Sequence, residues 1–126
     1  MLADSKAYSG FAVDDLEKAQ EFYGEKLGLN VTVLDPPGLL QLDLAGDRPT
    51  LIYPKPDFEP ATYTILNFPV DEVEVAVDEL TSRGISFERY EGFDQDEKGI
   101  DRSGPGGGIA WFKDPAGNIL AVHGEM

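Results

Sequence analysis

The feature that most constrains the fold is an internal repeat. Residues Phe11–Ala19 and Phe68–Ala76 align at an offset of 57, with five of nine positions identical: Phe11/Phe68, Val13/Val70, Asp14/Asp71, Glu17/Glu74 and Ala19/Ala76. The register then slips by one, so that Gly28-Leu29 matches Gly84-Ile85 at an offset of 56. A period of this length means that one supersecondary unit occurs twice, each copy too small to bury its apolar face alone.

Both copies follow the same local physics. Phe11 and Val13 in the first, and Leu66, Phe68 and Val70 in the second, alternate as strand residues with one face on a core. Asp14 and Asp71 follow as expected N-caps, with Glu17 and Glu74 at capping-box spacing. Leu16, Ala19, Phe22, Tyr23 and Leu27 then share one helix face, as do Val73, Ala76, Val77 and Leu80. Lys26 and Arg83 suit the negative end of each helix dipole, and Gly28 and Gly84 suit left-handed C′ positions. Strands are expected near Asn30–Leu34, Leu39–Leu44 and Thr50–Tyr53, then near Ser86–Glu91, Ile109–Lys113 and Ile119–His123. Asp114–Asn118 is a strong hairpin signal between the last two. The expected architecture is therefore α+β, with two βαβββ repeats at about 6–54 and 62–125. A proline-rich linker at 54–60 joins them in a single domain spanning 1–126.

Composition removes several function classes. The chain carries 24 acidic and 10 basic residues, a formal net charge of −14, which is the wrong sign for binding nucleic acid or an anionic membrane. A hydrophobic content of 41% is too high for a disordered acidic chain. With no cysteine, disulfides, thiolate nucleophiles and iron–sulfur clusters are excluded. His123 is the sole histidine, so one chain cannot build a multi-histidine zinc site. Met1–Lys6 is polar, with no apolar stretch of signal-peptide type, and no run reaches transmembrane length, so the expectation is a cytoplasmic protein.

Three segments carry a family resemblance: Val13–Ala19, then Phe22-Tyr23 with Leu27–Leu29, and at the end Phe112–Asn118. Across about Ala7 to Glu125 the chain resembles the vicinal oxygen chelate superfamily, which includes glyoxalase I, extradiol dioxygenases and bleomycin-resistance proteins. The resemblance implies a curled mixed sheet around a central cavity. Metal-dependent members chelate an ion there with His and Glu side chains on four strands. Those places fall here on Tyr8, Ile65, Ala121 and the strand Thr50–Tyr53, none of which offers a carboxylate or imidazole. A divalent ion needs several such donors. No metal and no other cofactor is expected, and the cavity should be apolar with a few polar groups.

From Tyr8, Ile65 and Ala121, strand alternation adds Asn67 and His123 to the candidate ligand-binding set, and Tyr53 and Trp111, on strands whose register the sequence leaves open, join it as aromatics able to line the cavity. Tyr8, Tyr53 and Trp111 serve equally well as core filling or as stacking surfaces. His123 reads either as a general acid or base or as a half-exposed residue of a terminal strand. The long segment Tyr90–Gly108 reads as a lid anchored by Phe93 and Ile100, or as a solvated insertion. Asp94–Gly99 faintly resembles a calcium loop, but Lys98 and Pro105 stand where oxygen ligands are required.

The function expected is metal-independent binding of a small organic molecule, cationic or neutral and aromatic, near to the bleomycin-resistance branch, whose members sequester ligand. One alternative is a lyase, isomerase or dioxygenase with unusual metal ligands or with acid–base residues among Tyr8, His123 and a loop carboxylate. Another is an interaction module with a filled cavity. The resemblance also implies a homodimer.

Overall fold

A computed structural model describes residues 1–104 and 106–125. Pro105, a position in the rejected calcium loop and in the glycine cluster, lies outside the described residues, as does Met126. The fold is α+β, and its contacts divide the chain into two compact units, Met1–Glu59 and Pro60–Met126.

The first unit contains strand β1 (Ser9–Val13), helix α1 (Leu16–Gln20), and strands β2 (Asn30–Leu34), β3 (Leu39–Leu44) and β4 (Arg48–Pro54). The sheet order is β1-β4-β3-β2, with β1 parallel to β4 and the other pairs antiparallel. β4 outruns the expected Thr50–Tyr53 because it is paired on both sides, from Arg48 to Ile52 against β3 and from Thr50 to Pro54 against β1.

The cap of α1 is Asp15 and not Asp14: its carboxylate accepts the Lys18 N–H at 3.1 Å. After Gln20 the helix widens into a π-helical stretch, Glu21–Lys26, where Leu27 N–H reaches Phe22 O at 2.9 Å. The wider turn lets two consecutive aromatic rings enter the core. Tyr23 is fully buried and its ring lies 5.7 Å from Phe11 and 5.1 Å from Phe22. Gly28 takes the left-handed conformation that ends the helix (φ 72°). Val13, Leu40, Leu42 and Ile52 complete this core.

The second unit contains β5 (Thr64–Val70), α2 (Val73–Ser82), β6 (Ile109–Lys113) and β7 (Ile119–Gly124). The sheet order is β5-β7-β6, with β5 parallel and β6 antiparallel to β7. The cap of α2 is Glu72, without a side-chain hydrogen bond, in place of the expected Asp71. Val73 and Val77 are buried with Phe112, Leu120 and Val122.

The expected strand Ser86–Glu91 does not form. It is reduced to one bridge, Phe87 to Phe112, and one hydrogen bond, Glu88 N–H to Trp111 O at 2.8 Å. Side chains then divert the backbone from the ladder. Arg89 donates to the carbonyls of Asp96 and Glu97 at 2.8 and 2.7 Å, and Gln95 Oε1 accepts the Tyr90 N–H at 2.8 Å. The chain becomes a strap that rejoins the open edge of β6 where Asp101 and Ile109 exchange backbone hydrogen bonds of 2.9 and 3.0 Å.

Candidate functional site

Paired strand residues share a face, and faces alternate along each strand. In the second unit Asn67, Ala121 and Trp111 form one row across all three strands. His123 stands in the next row of that face, between Pro69 and Ile109. Leu66, Phe68, Leu120, Val122, Ala110 and Phe112 take the other face, where α2 packs. Ile65 lies at an irregularity: Thr64 opposes Ile119 and Leu66 opposes Leu120, leaving Ile65 as the extra residue of a bulge.

The row is polar at one end and aromatic at the other. Asn67 is exposed, Ala121 is fully buried, and Trp111 is 9% exposed. Two rings of the strap cover Trp111: Tyr90 at 5.6 Å between centroids, edge-on, and Phe93 at 4.8 Å, tilted by 58°. Phe93 is itself 51% exposed, whereas Ile100, further along the strap, is completely buried. His123 Nδ1 lies 2.6 Å from the carbonyl of Gly124, a contact it makes as a donor.

The strap is tied on its other side to α2. Lys98 Nζ sits 2.9 Å from both Glu74 and Asp78, and Arg102 lies 3.5 Å from Glu74 and 3.4 Å from Asp96. The bonds from Asp78 and Glu74 raise the Lys98 pKa above its ordinary value. Asp101 accepts both the hydroxyl and the N–H of Ser103, at 2.5 and 2.8 Å, and these bonds hold its carboxyl below its ordinary value.

In the first unit, Tyr8 precedes β1 and is 61% exposed, and Tyr53 is exposed near the end of β4, opposite Ala12. The face that carries Tyr53 also carries a polar group that sequence reasoning missed. Asp43 accepts from Gln41 at 2.6 Å and from Thr32 at 2.7 Å, and these two bonds, Gln41 first, lower its pKa. Thr32, Gln41 and Leu51 lie in one row, with Asp43 one pair further along the same face. A groove of about 510 Å³ lies elsewhere in this unit, between the helix and β2, with Glu17, Glu21 and Glu25 on its rim. None of the candidate residues lines it.

The four positions that the family resemblance matches to metal ligands carry no carboxylate or imidazole. Tyr8 precedes its strand, Ile65 is the bulge residue, Ala121 is an aliphatic group in a closed row, and β4 carries no acidic or histidine side chain. Among the described residues, no three His, Asp or Glu side chains gather to hold an ion.

A profile described as the Glyoxalase/Bleomycin resistance protein/Dioxygenase superfamily matches residues 7–122. The chain belongs to this superfamily. Solved members of similar fold include a glyoxalase/bleomycin resistance protein from Streptomyces sp. CB03234, 25% identical with a TM-score of 0.63, over 93% of this chain and 99% of that one. TnmS3, an antibiotic binding protein from the same source, is 24% identical with a TM-score of 0.68, over 95% and 96%. The fosfomycin resistance protein FosX from Mesorhizobium loti shares the fold at 15% identity with a TM-score of 0.64, over 98% and 93%. No curated protein matches the chain. No helix among the described residues of this superfamily member is long and apolar enough to cross a membrane.

Proposed function

We propose that this superfamily member binds a small aromatic molecule without the help of a metal and acts by sequestering it. The observation that carries the reading is Trp111, held in a row with Ala121 and Asn67 and covered by the half-exposed Phe93. An indole face under a displaceable ring is a stacking surface, and Asn67 supplies a polar contact in the same row. The positions that would hold a catalytic ion in relatives carry no donor set for one, which favours binding over metal chemistry. TnmS3 is an antibiotic binding protein, and capture of an organic compound is the role we carry over from it to this chain.

The net charge of −14 favours a cationic or neutral ligand over an anion. His123 and Ile65 complete the proposed contact set in the second unit, and the functional form is a homodimer in the cytoplasm.

A thermal-shift screen of cationic, neutral and anionic aromatic compounds tests the reading. A ligand at 100 times its Kd adds about 2.7 kcal/mol to stability. The sole tryptophan gives the same titration a local readout, since quenching of its emission reports contact at Trp111. Melting shifts produced only by anions overturn the charge argument. Elemental analysis of protein purified without a chelating tag, showing one equivalent of Fe, Mn, Ni or Zn per chain, replaces the reading with a metalloenzyme. Gel filtration at micromolar concentration checks the dimer, and elution at the mass of one chain removes it.

A further inference from the structure

Tyr90 is absent from the contact set above, yet its hydroxyl is the one buried side-chain oxygen or nitrogen among the described residues without a hydrogen-bond partner. A buried hydroxyl left in this condition costs free energy, and native folds keep few such groups. The ring cannot easily turn to find a partner. It packs T-shaped against Trp111 at 5.6 Å between centroids, and the backbone N–H of Tyr90 donates to Gln95 Oε1, which pins the residue. Gln95 is in turn held on both sides, donating to the carbonyls of Glu88 at 2.9 Å and Gly99 at 2.8 Å.

We infer that the Tyr90 hydroxyl is a specificity-determining donor, reserved for an acceptor atom on a planar heteroaromatic ligand that takes the place of Phe93 against Trp111. The inference rests on the proposed binding function and adds a chemical requirement to it: the ligand carries a ring nitrogen or carbonyl oxygen at its edge. Phe93 is the displaceable ring, because it is half exposed, whereas Trp111 is anchored in β6. The hydroxyl keeps its proton under ordinary conditions, since burial and the nearby Glu88 carboxylate both push its pKa up. It therefore presents a neutral donor to a neutral or cationic guest that has a free lone pair.

The test uses two probes of the same shape, isoquinoline, which has a ring nitrogen, and naphthalene, which has none. Ligand-observed NMR titrations of the full chain at pH 8, where isoquinoline is neutral, measure both affinities. Wild type is expected to favour isoquinoline by about five- to thirtyfold, the range of one ordinary hydrogen bond to a buried donor. Tyr90→Phe is expected to bring isoquinoline down to the level of naphthalene while melting at or above the wild-type temperature without ligand. Equal binding of the two probes by wild type overturns the inference and leaves the binding function standing. A preference that survives in Tyr90→Phe also overturns it, as does a lower ligand-free melting temperature, which would mean that the hydroxyl serves the fold. Binding of neither probe removes the proposed function and this inference together.

Discussion

Asn118 donates its side-chain amide to the carboxylate of Asp114 across 3.1 Å, and both side chains are almost wholly buried. The same carboxylate accepts the N–H groups of Ala116 and Asn118 at 3.0 and 2.9 Å, while Gly117 supplies the left-handed turn residue. One charged group thus satisfies the polar atoms of the β6–β7 hairpin and fixes the register that places Ala121 beside Trp111. Asp114→Ala strands those donors and is expected to cost about 2–3 kcal/mol, read as a fall in the urea midpoint with unchanged slope. A loss below 0.5 kcal/mol would mean that the turn holds itself by backbone geometry alone.

Lys98, itself half-buried, bridges the exposed side chains of Glu74 and Asp78, so its removal should barely move global stability. Its effect belongs to the strap. In Lys98→Met, amide exchange at Gly99, Ile100 and Asp101 is expected to quicken several-fold while that of β7 stays the same. Equal acceleration in both places would show that the strap opens only with the whole unit.

Asp101 gives the strap an acid sensitivity. Its folded pKa lies below the unfolded value of about 3.9, because the Ser103 hydroxyl and N–H stabilise the carboxylate. The unfolded chain therefore takes up the proton first. The stabilisation is fully present above about pH 4 and is lost as pH falls through the lower, folded value. Denaturation curves between pH 7 and pH 2.5 are expected to show a smaller acid loss in Asp101→Asn than in wild type. Parallel curves for the two proteins would assign the acid loss to other carboxylates.

Gly124 ends β7 where no side chain fits. A Cβ at this residue would overlap the carbonyl oxygen of Gly106, and Gly124 N–H already donates to Gly108 O at 3.0 Å. Gly124→Ala must push the end of the strap away from the strand, at a cost of about 1–3 kcal/mol. Thermal melts of the variant and of wild type check this, and an unchanged melting temperature would show that the glycine-rich segment yields freely.

Much of this was legible because the signals were local. Alternation at Phe11 and Val13 and at Leu66, Phe68 and Val70 marked the two parallel strands, and Gly28 and Gly84 marked both helix ends. The caps were displaced by one residue because Asp14-Asp15 and Asp71-Glu72 each offer two acidic candidates, and local pattern does not choose between neighbours. The segment Ser86–Glu91 has strand-like residues, but Arg89 and Gln95 bind backbone atoms several residues away and outcompete the ladder. Asp43 escaped notice because its partners, Thr32 and Gln41, meet it only through the β2–β3 register. Tyr90 left no trace in the sequence, since an unpaired hydroxyl is a property of packing.

The strap that rejoins β6 also shields its outer edge. Ile109–Phe112 is an uncharged apolar run on the last strand of its sheet, and among the described residues the contacts at Phe87, Glu88 and Asp101 occupy its outward backbone groups. A protease cut within the strap would uncover a sticky β-ribbon able to recruit the same strand from other molecules, so aggregation would follow the nick and not the loss of the core.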